Sequence, residues 1–211
     1  MKLNRTQWAS VTAVVLALLF AGGAVTFASA DRSPRTHTPT TESADAGFAR
    51  DMSVHHQQAV EMSFIVRDRT TDEDVRRLAY DIANTQANQR GMMLGWLDLW
   101  RLPKVQADQA PMAWMGMGDM SAADPAAEDG ALMPGMATRT QLDQLRKASG
   151  REAEVLYLKL MTEHHKGGIH MAQGCVDKCE PGVERDLAQG MVDGQAAEIK
   201  LMADMLKARG A

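Results

Sequence analysis

The sequence predicts an all-α fold, in which two copies of one helical hairpin form a four-helix bundle with a long Met-rich connection between them. The first observation is an internal repeat. Residues 48–63 (FARDMSVHHQQAVEMS) and 157–172 (YLKLMTEHHKGGIHMA) share the frame M-x-x-H-H-x-x-x-[VI]-x-M at an offset of 109 positions. The second is that each copy is followed by a segment with the pattern Q-x-x-[QE]-x-x-x-M, which starts at Gln86 and again at Gln195.

The third observation is the spacing of residues within these four segments. Residues three and four positions apart lie on one face of an α-helix, so each segment has one stripe that is predicted to face inward. In the first and third segments the stripe consists of Phe48, Met52, His55, Ala59, Met62 and Val66, and of Tyr157, Met161, His164, Gly168, Met171 and Cys175. In the second and fourth it consists of Ile82, Gln86, Gln89, Met93 and Trp96, and of Met191, Gln195, Glu198, Met202 and Met205.

Short breaks separate the two segments of each half. Thr70, Thr71 and Asp72 are turn and N-cap residues, and the sequence Glu-Pro-Gly at 180–182 interrupts the second half. Because short turns join antiparallel neighbours, the halves are predicted to be hairpins, at about 47–100 and 151–209, with the connection at about 101–138. The bundle domain is therefore expected to span residues 47–211.

The N-terminal residues are predicted to lie outside this domain. Lys2 and Arg5 precede an apolar run at 8–27, and Ala-Ser-Ala at 28–30 matches a signal-peptidase site, which makes residues 1–30 a signal peptide. The run also has about the 20 residues that a membrane anchor needs, so a membrane anchor remains open. Both interpretations export the domain. Residues 31–46 are rich in Ser, Thr, Pro and charge and are predicted to be a flexible linker.

Charge and motif content exclude several function classes. The chain has a net charge of −4, and residues 31–211, with 21 basic and 27 acidic residues, have −6. A mildly acidic domain is not expected to bind nucleic acid, and it would meet a membrane only through its N-terminal segment. The sequence also contains no G-x-S-x-G, P-loop, H-E-x-x-H or Rossmann pattern, which removes the most readily recognised enzyme classes.

The predicted inward stripes carry His, Gln and Glu, and burying such a group without a partner costs about 1–3 kcal/mol. A hydrogen-bonded network or a water-filled interior would satisfy them, and so would a metal ion. Met52, His55, His56 and Met62 can line one side of a helix over about two turns, and Met161, His164, His165 and Met171 repeat them. Thioethers favour Cu(I), and imidazole accepts either oxidation state of copper. The predicted inward stripes carry too few carboxylates for Mg²⁺, Ca²⁺ or a di-iron site. Copper is therefore the predicted metal, with silver as a soft mimic.

Adjacent histidines point about 100° apart on a helix, so His55 and His56 cannot both face the bundle axis. One is expected to bind in the interior. For the other, three roles are open: it faces a groove, takes a second ion, or orients its neighbour.

The connection is a second candidate metal-binding element. Met112, Met115, Met117, Met120, Met133 and Met136 lie there among Gly, Pro, Ala and Asp. Methionines in an exposed loop have no core to fill, which favours copper capture, whereas packing over the bundle is the alternative.

Cys175 and Cys179 are the only cysteines. On a helix their Cα atoms would be roughly 6 Å apart, within disulfide range. A disulfide is the expected state in an exported protein, with thiol ligation of copper as the alternative.

The doubled M-x-x-H-H motif, followed by Q-x-x-[EQ]-x-x-x-M, resembles the bacterial exported family called domain of unknown function 305, over nearly all of residues 46–209. The resemblance implies a ferritin-like four-helix bundle and, by analogy with its CopM-type members, periplasmic or secreted copper binding linked to copper resistance. It extends the candidate ligands to Met93 and Met202. Gln89 departs from the acidic residue common in the family, whereas Glu198 keeps it.

The predicted function is copper sequestration, delivery or resistance outside the cytoplasmic membrane, with copper ions as partners and, for delivery, a second copper-handling protein. Two alternatives remain open. One is a ferritin-like metallo-oxidase, and the other is a membrane-tethered interaction module whose His and Gln core is structural.

Overall fold

The computed structural model describes residues 38–118 and 125–211, and in these ranges all regular secondary structure is helical. The all-α prediction is thus confirmed. The predicted leader at 1–30, residues 31–37 of the predicted linker, and Met120 lie outside the described residues. Within the described part of the chain, no helix combines the length and apolar character that a membrane span requires.

Six α-helices are present in the described ranges, four of them long. In chain order they are α1 (Ala44–Arg67), α2 (Glu73–Trp100), α3 (Pro125–Glu128), α4 (Arg139–Lys147), α5 (Gly150–Lys178) and α6 (Val183–Ala208). A short 3-10 turn, Ala113–Met115, lies in the connection after α2.

Local capping explains where the first hairpin begins and turns. The Ser43 side chain accepts a hydrogen bond from the backbone N–H of Ala46 (3.2 Å) and caps α1, so residues 44–46, which were predicted as linker, are helical. Asp72 caps α2 in the same way through the N–H of Val75 (3.0 Å), as the turn residues predicted.

The helices pack in two pairs, α1 along α2 and α5 along α6, and the pairs meet through α1 and α5. The shorter helix α4 lies against both α1 and α5. The buried apolar residues divide into two clusters. The first includes Val66 and Tyr157, and the second includes Phe48 and Cys175. Because each cluster joins one end of α1 to the opposite end of α5, these two helices run antiparallel.

Candidate metal centre

Four histidines lie fully buried where α1 and α5 meet: His55, His56, His164 and His165. The rings of His55 and His164 face each other, with their centroids 3.8 Å apart and their planes tilted by 34°. The sequence placed these two residues on the inward stripes of different helices, and the structure brings them into contact.

Each of the four rings uses Nε2 for a hydrogen bond. In the inner pair, His55 Nε2 lies 3.2 Å from the carbonyl oxygen of Pro134, and His164 Nε2 lies 3.0 Å from the carbonyl oxygen of His55. A carbonyl oxygen can only accept, so Nε2 donates in both rings.

The outer pair bonds to the neighbouring helix of its own half. His56 Nε2 donates to Gln89 Oε1 on α2 (2.8 Å), and His165 Nε2 donates to Glu198 Oε2 on α6 (2.6 Å). Both outer histidines are fully buried, so the role of facing an open groove does not hold for them. Gln89 and Glu198 thus accept hydrogen bonds from histidines at equivalent positions of the repeat, although only Glu198 is acidic.

The remaining nitrogen, Nδ1, has no hydrogen-bond partner in any of the four rings and is buried in all of them. A neutral imidazole protonated at Nε2 carries its lone pair at Nδ1. His55, His56 and His164 therefore each hold a buried Nδ1 lone pair that no described residue uses, and an unpaired buried acceptor is costly.

Burial keeps the rings of His55, His56 and His164 neutral. Desolvation lowers the pKa of His55 to about 4 and that of His56 to about 3, and it lowers the pKa of His164 well below its ordinary value. In each case neighbouring histidines lower the pKa further. A neutral ring is the form that binds a metal ion, so no proton has to leave these three rings at neutral pH.

The six helix methionines proposed as ligands are all fully buried: Met52, Met62, Met93, Met161, Met171 and Met202. They do not group by motif. Met52, Met93 and Met171 belong to one core cluster, whereas Met62, Met161 and Met202 belong to the other.

Met52 and Met62, which the sequence predicts on one side of a single helix, thus belong to different clusters. Antiparallel packing of α1 and α5 puts the methionine before His55 in the same cluster as the methionine after His164. Each cluster therefore contains methionines of both repeat halves. The linear repeat could not reveal this pairing, because it depends on how the helices cross.

Two glutamines in the same interior also have unused acceptors. The Oε1 atoms of Gln86 and Gln195, which are equivalent in the repeat, are buried without a hydrogen-bond partner. They add oxygen lone pairs to an interior that already holds unpaired nitrogens.

A segment of the connection covers His55, and we call residues 132–138 the strap. Its Pro134 carbonyl is the acceptor for His55, and Gln58 exchanges two hydrogen bonds with the backbone of Ala137 (2.8 and 2.6 Å). The strap crosses α5 at Gly167, where a Cβ atom would lie 1.8 Å from the Pro134 oxygen. Gly135 has φ of +77°, a conformation that favours glycine.

The loop methionines pack over one end of the helices. Met112 is fully buried in the cluster of Met52, and its backbone N–H donates to Asp51 Oδ2 (2.8 Å), which also accepts from Trp114 Nε1 (2.9 Å). The burial of Met112 agrees with packing over the bundle, one of the two roles that the sequence left open, and its role as a copper ligand stays a prediction.

Met115 and Met117 are half-buried and retain access to solvent. The sulfur of Met117 lies 3.4 Å from Nε2 of exposed His170, a histidine that the sequence prediction did not select. The sequence feature that could have identified His170 is its position directly before Met171 in the repeated motif.

The cysteines form the expected pair, with Sγ atoms of Cys175 and Cys179 at 2.03 Å.

Across residues 38–118 and 125–211, only one group of three His, Cys, Asp or Glu side chains brings ligand atoms within 4.8 Å of one another, and it consists of Asp45, Cys179 and Glu184. The four histidines are thus not arranged as a three-nitrogen site of that size.

Comparison with known proteins places the chain in a family. No curated protein matches it significantly. Among solved structures it is similar to a DUF305 protein from Streptomyces coelicolor, named as a candidate secreted protein, with 65% identity and a TM-score of 0.74 over 82% of this chain and 97% of that one. A DUF305 fragment from Deinococcus radiodurans is 28% identical, with a TM-score of 0.62 over 78% and 96% of the two chains.

The fold is also similar to that of CopM in its Cu(I)-bound form, at 20% identity and a TM-score of 0.57 over 78% of this chain and 96% of that one. The family model for DUF305, a domain of unknown function, matches residues 45–206. Since that match spans all four long helices and both copies of the histidine motif, this chain belongs to the DUF305 family.

Proposed function

We propose that this protein binds copper outside the cytoplasmic membrane, for sequestration, delivery or resistance. The observation that carries the proposal is the set of four buried Nδ1 atoms without partners, flanked at both ends by buried methionines from both repeat halves. Imidazole nitrogen and thioether sulfur together suit Cu(I) better than other biological cations.

The alternatives to copper fit the interior less well. Zinc would be satisfied by imidazole but gains nothing from six thioethers. Calcium and magnesium need several oxygen ligands, and among residues 38–118 and 125–211 Glu198 is the only carboxylate bonded to the histidine group, through His165. A purely structural hydrogen-bond network would use both nitrogens of the rings, and here each ring uses one.

The arrangement favours sites that combine nitrogen with sulfur. Three histidine nitrogens do not converge within 4.8 Å in the described residues, so a Cu(I) ion would take imidazole from the histidine group and thioether from an adjacent cluster. Each cluster contains methionines of both motifs, so each ion would join α1 to α5. We place Met52, Met93 and Met171 in one such ligand set, and Met62, Met161 and Met202 in the other.

The packing of α1 with α2 and of α5 with α6 supports the finer fold assignment, a ferritin-like four-helix bundle made of two repeated helical hairpins. CopM provides an independent parallel, since its structures include Cu(I), Cu(II) and silver complexes.

The leader at 1–30 would export the domain, in line with the name of the Streptomyces coelicolor relative. Met115 and Met117 at the surface would serve as a further capture element.

The test is a Cu(I) titration of the folded domain against a competing chelator. Replacing the six helix methionines by leucine keeps apolar volume and removes the thioethers, so the variant should fold and lose most high-affinity Cu(I) binding. The matched control is Met191→Leu with Met205→Leu, two buried methionines from the same two clusters that are not proposed ligands. Equal Cu(I) binding by both variants would contradict the proposed function.

A further inference from the structure

A second group of ligand-type side chains lies apart from the histidines, where three helix ends meet. Asp45 is in the first turn of α1, Glu184 is in the first turn of α6, and Cys179 is the C-cap residue of α5. Their ligand atoms all lie within 4.8 Å of one another. All three residues are more than nine-tenths buried.

The two carboxylates lack a compensating positive charge. Both oxygens of Glu184 are buried without any hydrogen-bond partner, and Asp45 accepts one bond, from the backbone N–H of Glu180 (3.2 Å). No ion pair in the described ranges joins either carboxylate to Lys or Arg. Desolvation, together with the smaller effect of nearby Asp45, raises the pKa of Glu184 to about 9.

A helix-dipole role does not explain this arrangement. A helix N-terminus stabilises an acidic side chain in the first turn by about 0.3–2 kcal/mol, which is less than the cost of burying a carboxylate without hydrogen bonds. Here two of them are turned toward each other in the interior, and one makes no hydrogen bond. Two inward-facing carboxylates beside a sulfur atom form the donor set of a cation site.

The disulfide controls the third donor. While Cys179 is bonded to Cys175, its sulfur is not a thiolate and cannot serve as a strong ligand. A dithiol reductant would supply two electrons and two protons, forming its own disulfide while the Cys175–Cys179 bond breaks to two thiols. Metal binding would then release the thiol proton of Cys179 and the carboxyl proton of Glu184 to solvent.

We propose that Asp45, Glu184 and Cys179 form a second, redox-gated metal site, which takes a borderline divalent cation of the Zn²⁺ class once the Cys175–Cys179 disulfide is reduced. One thiolate and two carboxylates give three protein ligands, and a water molecule completes the tetrahedron that Zn²⁺ prefers. Cu(I) would select the sulfur atoms and gain nothing from the two carboxylates. The site is separate in residues and in chemistry from the proposed copper centre.

Two single substitutions test the site without any reductant. Cys175→Ser leaves Cys179 as a free thiol, whereas Cys179→Ser leaves Cys175 free and removes the proposed ligand. Zn²⁺ titration should show one additional equivalent for Cys175→Ser relative to both Cys179→Ser and the oxidised parent. With Co²⁺ as the probe, a thiolate-to-cobalt charge-transfer band should appear only for Cys175→Ser.

The carboxylates are tested by adding Glu184→Gln to Cys175→Ser, which should remove the additional equivalent. The parent protein reduced with a phosphine should gain the same equivalent, which covers the case in which Cys175→Ser fails to fold. Equal Zn²⁺ binding by the two cysteine variants, or by the reduced and oxidised parent, would overturn the proposal. Cu(I) stoichiometry of the parent and of Glu184→Gln should be equal, so failure here is distinguishable from failure of the copper centre.

Discussion

The side chain of Gln58 makes two hydrogen bonds with the backbone of Ala137: its Nε2 donates to the carbonyl oxygen (2.8 Å) and its Oε1 accepts from the N–H (2.6 Å). Ala137 lies three residues after Pro134, whose carbonyl oxygen accepts a hydrogen bond from His55. The equivalent of Gln58 in the second repeat is Gly167, over which the same strap passes. The two copies of this position therefore contact one strap in different ways, through two hydrogen bonds at Gln58 and through close backbone approach at Gly167.

Gln58→Ala should loosen the strap. Two buried backbone groups of Ala137 would lose their partner, so we expect the free energy of unfolding to fall by about 1–3 kcal/mol. We also expect faster Cu(I) uptake in stopped-flow mixing, because access to the fully buried His55 requires the strap to move. Gln57→Ala, the exposed neighbour on α1, is the control and should change neither quantity. Unchanged uptake in a destabilised Gln58→Ala protein would show that the strap does not limit metal entry.

Gly167→Ala should force the strap away from α5. The added Cβ would lie 1.8 Å from the Pro134 oxygen, so either the strap or the helix has to shift. The matched control is Gly190→Ala on α6, where a Cβ meets nothing within 4 Å and helix propensity should stabilise the protein by about 1 kcal/mol. Melting temperatures of the two variants should therefore move in opposite directions. A shared upward shift would mean that the strap is easily displaced.

His55→Ala and His164→Ala should each remove most of the stabilisation that Cu(I) gives the folded domain. For the parent this stabilisation is about 2.7 kcal/mol when free metal is a hundred times the dissociation constant. Because the two rings are in contact, removal of either ring should disturb both proposed ligand sets, so the double variant should lose little more than either single variant. Copper-induced shifts in melting temperature give all three values, with His170→Ala as an exposed histidine control. Simple addition of the two losses would indicate that the halves bind separate ions.

Cu(I) affinity should change little between pH 5 and pH 7.5. A proton competes with the metal only below the pKa of the ring, and burial lowers that of His55 to about 4 and that of His56 to about 3. Exposed histidines, with an ordinary pKa near 6.5, would lose affinity steadily below that pH. Chelator competition at the two pH values measures the difference. A tenfold weakening at pH 5 would show that an exposed histidine dominates binding.

Local sequence predicted the four long helices of this protein, whereas α3 and α4 were not predicted. Spacings of three and four residues defined the stripes, and Asp72 and the break before α6 defined the hairpin turns, because these signals act within a few residues of chain. The sequence also identified the histidines and methionines of the candidate centre, since residue types and their spacing can be recognised from the sequence alone.

Only the tertiary structure decided which of these residues meet. Met52 shares a cluster with Met171 rather than with Met62, because antiparallel packing of α1 and α5 reverses the order of one motif against the other. The contact of the strap with His55, and the approach of Asp45 to Glu184, join residues far apart in the chain. Such contacts depend on helix crossing and register, which are set by the packing of the whole core rather than by any local pattern.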